Sequence, residues 1–460
     1  MERSFDAAVI GAGQAGPFLA ARLVAAGKKV ALIERKLIGG TCVNAGCTPT
    51  KTMVASAKVA FTAANASAHG VHISGPARID LAAIKGRKNA IVAASHDGLE
   101  SWLGGLEGLT IFRGSGRFES PTRVRVGEDV VTAKQFFVNV GGRPRHPDFP
   151  GVSEVPYLTS TTILDLDEVP KHLLVVGGSY IGLEFAQMFR RFGAKVTVIE
   201  RGAQLLPHED LDVSAAIKET LEAEGIRFRL NAECISLHER GAEVGVGVSC
   251  QAGAPEESGS HILLAVGRDP NTHDLGLDAA GVKMDARGYI EVDDQLRTNV
   301  PGIWALGDCN GRGAFTHTSY NDFEIVAANL LDNGSRRVTD RVPAYALYID
   351  PPVAHIGMSE AQVRKSGRRA LMAVRPMTKV ARAVEKGETR GFMKVLVDAD
   401  TREILGATIF GVGGDEAIHA VLAAMTARQK ADVIANAVFI HPTVAELLPT
   451  VFQSLKPLEG

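Results

Sequence analysis

At 460 residues, 45% of them hydrophobic, the chain exceeds what one hydrophobic core usually serves, and several domains are expected. Fifty basic residues oppose fifty-two acidic ones, a formal charge of −2, and no Lys/Arg run is fit to hold a nucleic-acid backbone or an anionic membrane surface. No apolar stretch approaches the roughly 18 residues that span a bilayer and no signal-peptide pattern follows Met1, so a cytoplasmic location is expected. Five cysteines in so long a chain exclude a disulfide scaffold, and Cys42 and Cys47 are the only close pair.

Residues 5–10 read as a strand running into Gly11-Ala12-Gly13-Gln14-Ala15-Gly16. A small-residue helix to Gly27 and a strand at 30–33, closed by Glu34-Arg35, complete a βαβ unit. In such a unit the first glycine permits the tight turn, the second lets backbone approach a pyrophosphate, and the third lets helix and strand pack closely. The helix N-terminus offers unpaired N–H groups and a positive dipole end to phosphate, and the acid after the second strand accepts hydrogen bonds from a ribose diol. Next comes Gly39-Gly40-Thr41-Cys42-Val43-Asn44-Ala45-Gly46-Cys47-Thr48-Pro49-Thr50-Lys51, leading into a helical stretch at 52–64. Cysteines at a helix start favour the thiolate, the species that attacks disulfides. The plainer readings are buried structural cysteines or half of a zinc site. Zinc needs two further ligands, and the sequence has no second cysteine pair or compact Cys/His cluster to supply them.

After a connecting turn at 165–170, a strand from Leu173 leads into Gly177-Gly178-Ser179-Tyr180-Ile181-Gly182, a helix to Gly193 and a strand at 196–199 closed by Glu200-Arg201. Gly11 to Gly177, Gly16 to Gly182, Gly27 to Gly193 and Glu34 to Glu200 all differ by 166 positions. Each copy is therefore expected to hold one dinucleotide, where a lone copy would equally suit plain packing. Ser179 replaces the middle glycine, and its Cβ narrows the approach of the second pyrophosphate. Glu200 repels the 2'-phosphate of NADP and favours NAD, while adjacent Arg201 is placed to bind that phosphate. The Gly/Ala-rich run 241–259 reads as a surface hairpin carrying Cys250; it, Cys234 and Cys309 are assigned no role. A strand over 302–308 ends at Asp308, and strand-like runs at 345–349, 392–397 and 407–410, then helical stretches at 415–428 and 443–455, suit an α+β domain.

Further landmarks are Gly141-Gly142-Arg143-Pro144, Tyr180-Ile181-Gly182-Leu183-Glu184, Val266-Gly267-Arg268, Ala305-Leu306-Gly307-Asp308 and His441-Pro442-Thr443-x-x-Glu446. With the Gly-Gly-Thr-Cys-x4-Cys-x-Pro-x-Lys run, they make the chain resemble, over essentially its whole length, the class I pyridine nucleotide-disulfide oxidoreductases. That family includes dihydrolipoamide dehydrogenase, glutathione reductase and mercuric reductase. The resemblance implies an α/β protein with two Rossmann-like dinucleotide-binding domains and a C-terminal α+β dimerisation domain. Residues 1–148 and 270–337 would bind FAD, 149–269 would bind NAD(P), and 338–460 would form the homodimer interface. Gly11, Gly13, Gly16 and Glu34 would hold the adenosine diphosphate part of FAD, with Thr41 near its pyrophosphate and Asp308 on the ribityl chain. Gly177, Gly182, Glu200 and Arg201 would bind the nicotinamide nucleotide, and Gly142 and Gly267 join the cofactor-binding set. Lys51 would lie beside the flavin and pair with Glu184, and Tyr180 would be the aromatic gate over it. Cys47 would be the flavin-proximal sulfur and Cys42 the outward one that attacks substrate. His441, oriented by Glu446 across a peptide bond that the family makes cis before Pro442, would serve as acid-base from the other subunit.

The function implied is transfer of electrons from NADH or NADPH through FAD to the Cys42–Cys47 disulfide and on to a small disulfide or oxidised-sulfur acceptor. Cys-Thr-Pro-Thr-Lys-Thr and Ala381-Arg382-Ala383-x3-Gly387-Glu388-Thr389-Arg390-Gly391-Phe392 are most similar to flavoproteins grouped with mercuric reductase and reactive-chlorine-response relatives. Mercuric reductases proper carry a C-terminal vicinal cysteine pair, absent here, and lack the His-Pro-Thr-x-x-Glu dyad. That dyad fits a thiol leaving group, which needs a proton. Metal-ion reduction is the runner-up, and a dihydrolipoamide dehydrogenase component of a multienzyme complex or a flavin-binding protein without turnover are the remaining alternatives.

Overall fold

The computed structural model describes residues 1–75, 77–241, 243–249 and 256–459. Val/Ile/Leu/Ala-rich runs form strands buried on both faces, as parallel sheets covered by helices require. The first βαβ unit is β1 (Glu2–Ile10), α1 (Gly16–Ala25) and β2 (Val30–Glu34). It is followed by α2 (Gly40–Ala45), α3 (Cys47–Ala64), α4 (Leu81–Gly104), β3 (Leu109–Arg113), β4 (Gly116–Ser120), β5 (Arg123–Val126) and β6 (Asp129–Val138). These strands lie in the order β3-β2-β1-β6-β5-β4, parallel from β3 to β6 and antiparallel beyond.

β7 (Gly142–Pro144) leaves this sheet for the second unit, β8 (His172–Val176), α5 (Tyr180–Arg191) and β9 (Lys195–Ile199). Then come α6 (Leu211–Ala223), β10 (Arg227–Arg229), β11 (Ser236–Arg240), β12 (Glu243–Gly247), β13 (Glu257–Gly259) and β14 (His261–Leu264). The second parallel sheet runs β10-β9-β8-β14, with an antiparallel β11-β12-β13 sheet beside it. β15 (Arg268–Pro270) pairs antiparallel with β7, so the chain returns alongside the strand by which it left. β16 (Ile303–Ala305) then joins the first sheet, with Ala305 opposite Val138, which itself lies opposite Ile10. That register brings Asp308 to the edge where Gly11 begins. α7 (Thr316–Leu331) closes the region.

The remainder is β17 (Ala344–Leu347), β18 (Val353–Gly357), α8 (Glu360–Ser366), β19 (Ala370–Pro376), α9 (Ala381–Glu385), β20 (Phe392–Asp398), β21 (Ile404–Phe410), α10 (Gly414–Thr426), α11 (Ala431–Ala435), α12 (Leu448–Gln453) and β22 (Lys456–Pro457). Its antiparallel sheet runs β17-β18-β21-β20-β19-β22. One apolar cluster joins all three regions: Met53 and Ala57 of α3 pack with Phe185 and Phe189 of α5 and with Leu347, Val353 and Phe410 of the last sheet. Each such side chain, once buried, contributes about 1.5–3 kcal/mol, so α5 is held from both sides.

Four local expectations change. The strand expected over 302–308 is only β16, and Asp308 sits on a 3-10 turn, Gly307–Asn310. The helix expected at 52–64 starts at Cys47, because its first turn uses Pro49, whose missing N–H costs nothing there. The helical stretch expected at 443–455 splits into a 3-10 turn, Ala445–Leu447, and the short α12, where Pro449 again sits in a first turn. In the expected hairpin at 241–259, β12 and β13 do pair antiparallel but are largely buried; Cys250 lies outside the described residues.

Candidate active site

The two βαβ units repeat down to single hydrogen bonds. Gly11 has φ +99°, and a Cβ there would fall 2.2 Å from the Asn139 carbonyl oxygen; Gly177 has φ +113°, and its Cβ would fall 2.4 Å from the Ala265 carbonyl oxygen. Only glycine fits either turn. At the third glycines, a Cβ on Gly16 would lie 2.1 Å from the Gly11 oxygen, and one on Gly182 would lie 2.0 Å from the Gly177 oxygen. Glu34 accepts from Ala12 N at 2.8 Å and Lys36 N at 2.7 Å, while Glu200 accepts from Gly178 N and Gly202 N, both at 2.7 Å. Neither α1 nor α5 has a side-chain cap, which leaves N-terminal N–H groups for an anion. A backbone cradle with no room for Cβ and a carboxylate locked at the strand end fit the adenosine diphosphate half of FAD in the first unit and of a nicotinamide nucleotide in the second.

Around the second unit, Gly177, Ser179, Glu200, Arg201, Val266 and Gly267 line a cavity of about 1060 Å³. Gly13 approaches the Asn139 side chain, whose Oδ1 accepts from Gly16 N at 3.0 Å and whose Nδ2 donates to Leu306 O. Gly142 is buried in β7. Asp308 lies 3.9 Å from Arg268 Nε; burial raises its carboxyl, and the arginine opposes the rise. Thr41 is exposed on α2, one residue before Cys42.

Cys47 is the first residue of α3 and Cys42 lies on α2; both are free thiols. α7 begins with Thr316, whose hydroxyl oxygen is 3.2 Å from each sulfur. The hydrogen bond from Cys42 brings the Cys47 thiol down to about 6, helped by Thr316 and by the Lys51 charge and opposed by burial. The same shared hydrogen bond, with burial, pushes Cys42 up. Near neutral pH, then, Cys47 carries the negative charge and Cys42 the proton. Lys51 follows Cys47 by one helical turn, so its cation falls on the same face of α3. Its Nζ lies 2.6 Å from Glu184 Oε2 and 4.8 Å from the centre of the Tyr348 ring. Glu184, 6% exposed, also accepts from Tyr348 N at 2.9 Å. Tyr180 opens α5, four residues before Glu184.

His441 stands apart from this group. Its Nδ1 is 2.9 Å from Glu446 Oε2, its side chain is 75% exposed, and a cis peptide bond precedes Pro442. Among the described residues no hydrogen bond joins it to Cys42. Thr443 Oγ1 donates to Ile440 O and accepts from Glu446 N, which fixes the turn presenting the dyad. Sequence reasoning missed Thr316 and Tyr348, which nothing in the local pattern marks. It also missed Asn139, for which the adjoining Gly-Gly-Arg-Pro landmark was a usable signal.

The sequence profile described as "Pyridine nucleotide-disulphide oxidoreductase" matches residues 5–322, and that of the family's dimerisation domain matches residues 343–452. The chain belongs to this family. Membership makes it an FAD-dependent oxidoreductase that works with NAD(P)H on sulfur groups. It is 35% identical to the probable pyridine nucleotide-disulfide oxidoreductase RclA of Escherichia coli, across 98% of this chain and 99% of that protein. A dihydrolipoyl dehydrogenase of Chlamydia muridarum is 34% identical across 97% and 96%, and a mercuric reductase of Streptomyces lividans is 33% identical across 98% and 96%. Among solved structures, the Cu(II) complex of the HOCl-induced flavoprotein disulfide reductase RclA superposes with a TM-score of 0.90 at 33% identity, covering 98% and 99% of the two chains. Among the described residues no helix is long and apolar enough to cross a membrane.

Proposed function

We propose that this oxidoreductase uses NADH to reduce a low-molecular-weight disulfide, or a related oxidised-sulfur compound, at a site completed by a second copy of the chain. The observation that carries the reading is the split between the two sulfurs, a Cys47 that ionises readily beside a Cys42 that keeps its proton. A protonated nucleophile needs a base. Glu446 occupies His441 Nδ1, which leaves Nε2 free to take the Cys42 proton. Since His441 finds no Cys42 in its own chain, we assign that step to His441 of a second copy. Val438 and Ile440, 98% and 80% exposed beside it, support an apolar contact between copies there.

Cys42 then attacks one sulfur of the acceptor, a mixed disulfide forms, and the departing thiolate takes its proton from His441. Cys47 attacks Cys42, closing the Cys42–Cys47 disulfide and releasing the second thiolate. Bound FAD supplies two-electron transfer from the nicotinamide to that disulfide. Lys51, anchored by Glu184, favours negative charge in this place, and Tyr180 is read as the gate on the nicotinamide side. Glu200, fixed by two backbone N–H groups, supports NADH over NADPH. We propose the division into FAD-binding 1–148 and 270–337, NAD-binding 149–269 and dimerisation 338–460, and a cytoplasmic setting, where NADH is found.

Cys42→Ser tests the reading. It abolishes NADH-dependent disulfide reduction and leaves FAD bound and reducible; unchanged turnover removes the mechanism. A second reading, Cu(II) as an acceptor, is favoured by the likeness to RclA structures solved as Cu(II) complexes. NADH oxidation with Cu(II), Hg(II) and a disulfide panel, measured side by side, separates the two.

A further inference from the structure

The Tyr180 ring is held from several sides by residues with no part in the sulfur chemistry. Its hydroxyl donates to Glu209 Oε1 at 3.5 Å, and its ring meets those of Tyr345 and Phe315 edge-on at centroid distances of 5.6 Å and 6.1 Å. Burial, and after it the nearby Glu209 charge, pushes up the hydroxyls of both Tyr345 and Tyr180. Tyr345 cannot drift, because Phe315 and His355 stack on it at 5.8 Å and 5.2 Å. Phe315 directly precedes Thr316, whose hydroxyl touches both active sulfurs.

Glu209 is buried, and the stretch bearing it is fastened to the antiparallel sheet region. Its neighbour Asp210 accepts from Lys394 Nζ at 2.8 Å and from the backbone N–H groups of Glu360 and Ala361. Lys394 is 1% exposed and also bonds Asp212. Tyr180 thus rides on a helix of the nucleotide unit, while its tethers are fixed elsewhere. A buried carboxylate bonded to one phenol and close to a second has no packing rationale, because an apolar side chain would fill the space without a desolvation penalty.

We infer that Glu209 and Tyr345 form a latch that holds Tyr180 in its closed position, so that NADH must break the Tyr180–Glu209 hydrogen bond and the Tyr180–Tyr345 ring contact to reach the flavin side of the site. Both are positioning residues, and the inference rests on the reading of Tyr180 as the gate. Tyr345→Leu removes the ring that meets Tyr180 edge-on; Glu209→Gln keeps size and replaces a charged acceptor by a neutral one. With the FAD-loaded enzyme, two quantities are read, the KM for NADH and the rate at which the NADH-reduced enzyme reacts with dioxygen. Each variant lowers the first and raises the second by about two- to tenfold, the worth of one hydrogen bond or one ring contact shifted toward an open state. Reoxidation of the reduced enzyme by oxidised lipoamide, on the sulfur side, stays at the parental rate. The latch is overturned if both variants keep parental KM and dioxygen rate while Tyr180→Ala raises the dioxygen rate. Should Tyr180→Ala also change neither quantity, the gate reading itself fails and the latch falls with it.

Discussion

The two dinucleotide units share a backbone plan and differ in what is attached to it. Offset by 166 positions, they repeat the glycine contacts and even the two N–H groups on each acid, Ala12 and Lys36 against Gly178 and Gly202. The first unit runs straight on into α2 and α3 and delivers two thiols and Lys51. In the second, the helix itself carries the proposed gate and the lysine's partner, with Tyr180 and Glu184 one turn apart and Arg191 two turns further on. Arg191 pairs with Glu224 and Asp350, the latter in the dimerisation region. On the proposed roles, nucleotide grip belongs to the repeat and chemistry to what each copy added.

Paired substitutions break or sharpen this comparison. Gly11→Ala and Gly177→Ala introduce the same clash at positive φ, each destabilising its turn by about 2–5 kcal/mol. The expected outcomes diverge: Gly11→Ala purifies without bound FAD, whereas Gly177→Ala stays yellow and loses NADH reduction, as flavin absorbance and stopped-flow bleaching report. Phe189→Ala, in the cluster shared by all three regions, costs about 3–5 kcal/mol in chemical denaturation. Glu200→Ala removes a charged acceptor and lowers kcat/KM for NADH by about ten- to a hundredfold with far less effect for NADPH. Equal losses for both nucleotides would remove Glu200 from specificity.

The smallest effect is one of pH. Cys47 is displaced downward to about 6, so it is an anion above that pH and a thiol below it. Its alkylation by iodoacetamide should rise with pH around a midpoint near 6, and Lys51→Met should move that midpoint upward by removing a nearby cation.

The elements easiest to read from sequence were those with fixed local chemistry. Gly11, Gly16, Gly177 and Gly182 are required by backbone contacts a few residues away or by a neighbouring strand, and their spacing exposes them. Lys51 and Glu184 were paired only through family resemblance, since 133 positions separate them and no local period links them. Thr316 stayed hidden for the same reason: it reaches Cys42 across 274 positions, and a threonine at a helix start ordinarily signals nothing beyond capping. The 24-residue α4 was not read at all, because apolar and charged residues are spread around it without a clear stripe.

If the exposed His441 serves a second copy, as proposed, a lone chain lacks the base for its own Cys42. On the proposed pairing, Cys42→Ser and His441→Ala are each inactive as pure proteins, yet they lack different halves of the same site. A mixed assembly of the two joins an intact sulfur pair to an intact imidazole at one of its sites, so mixing two dead proteins revives turnover.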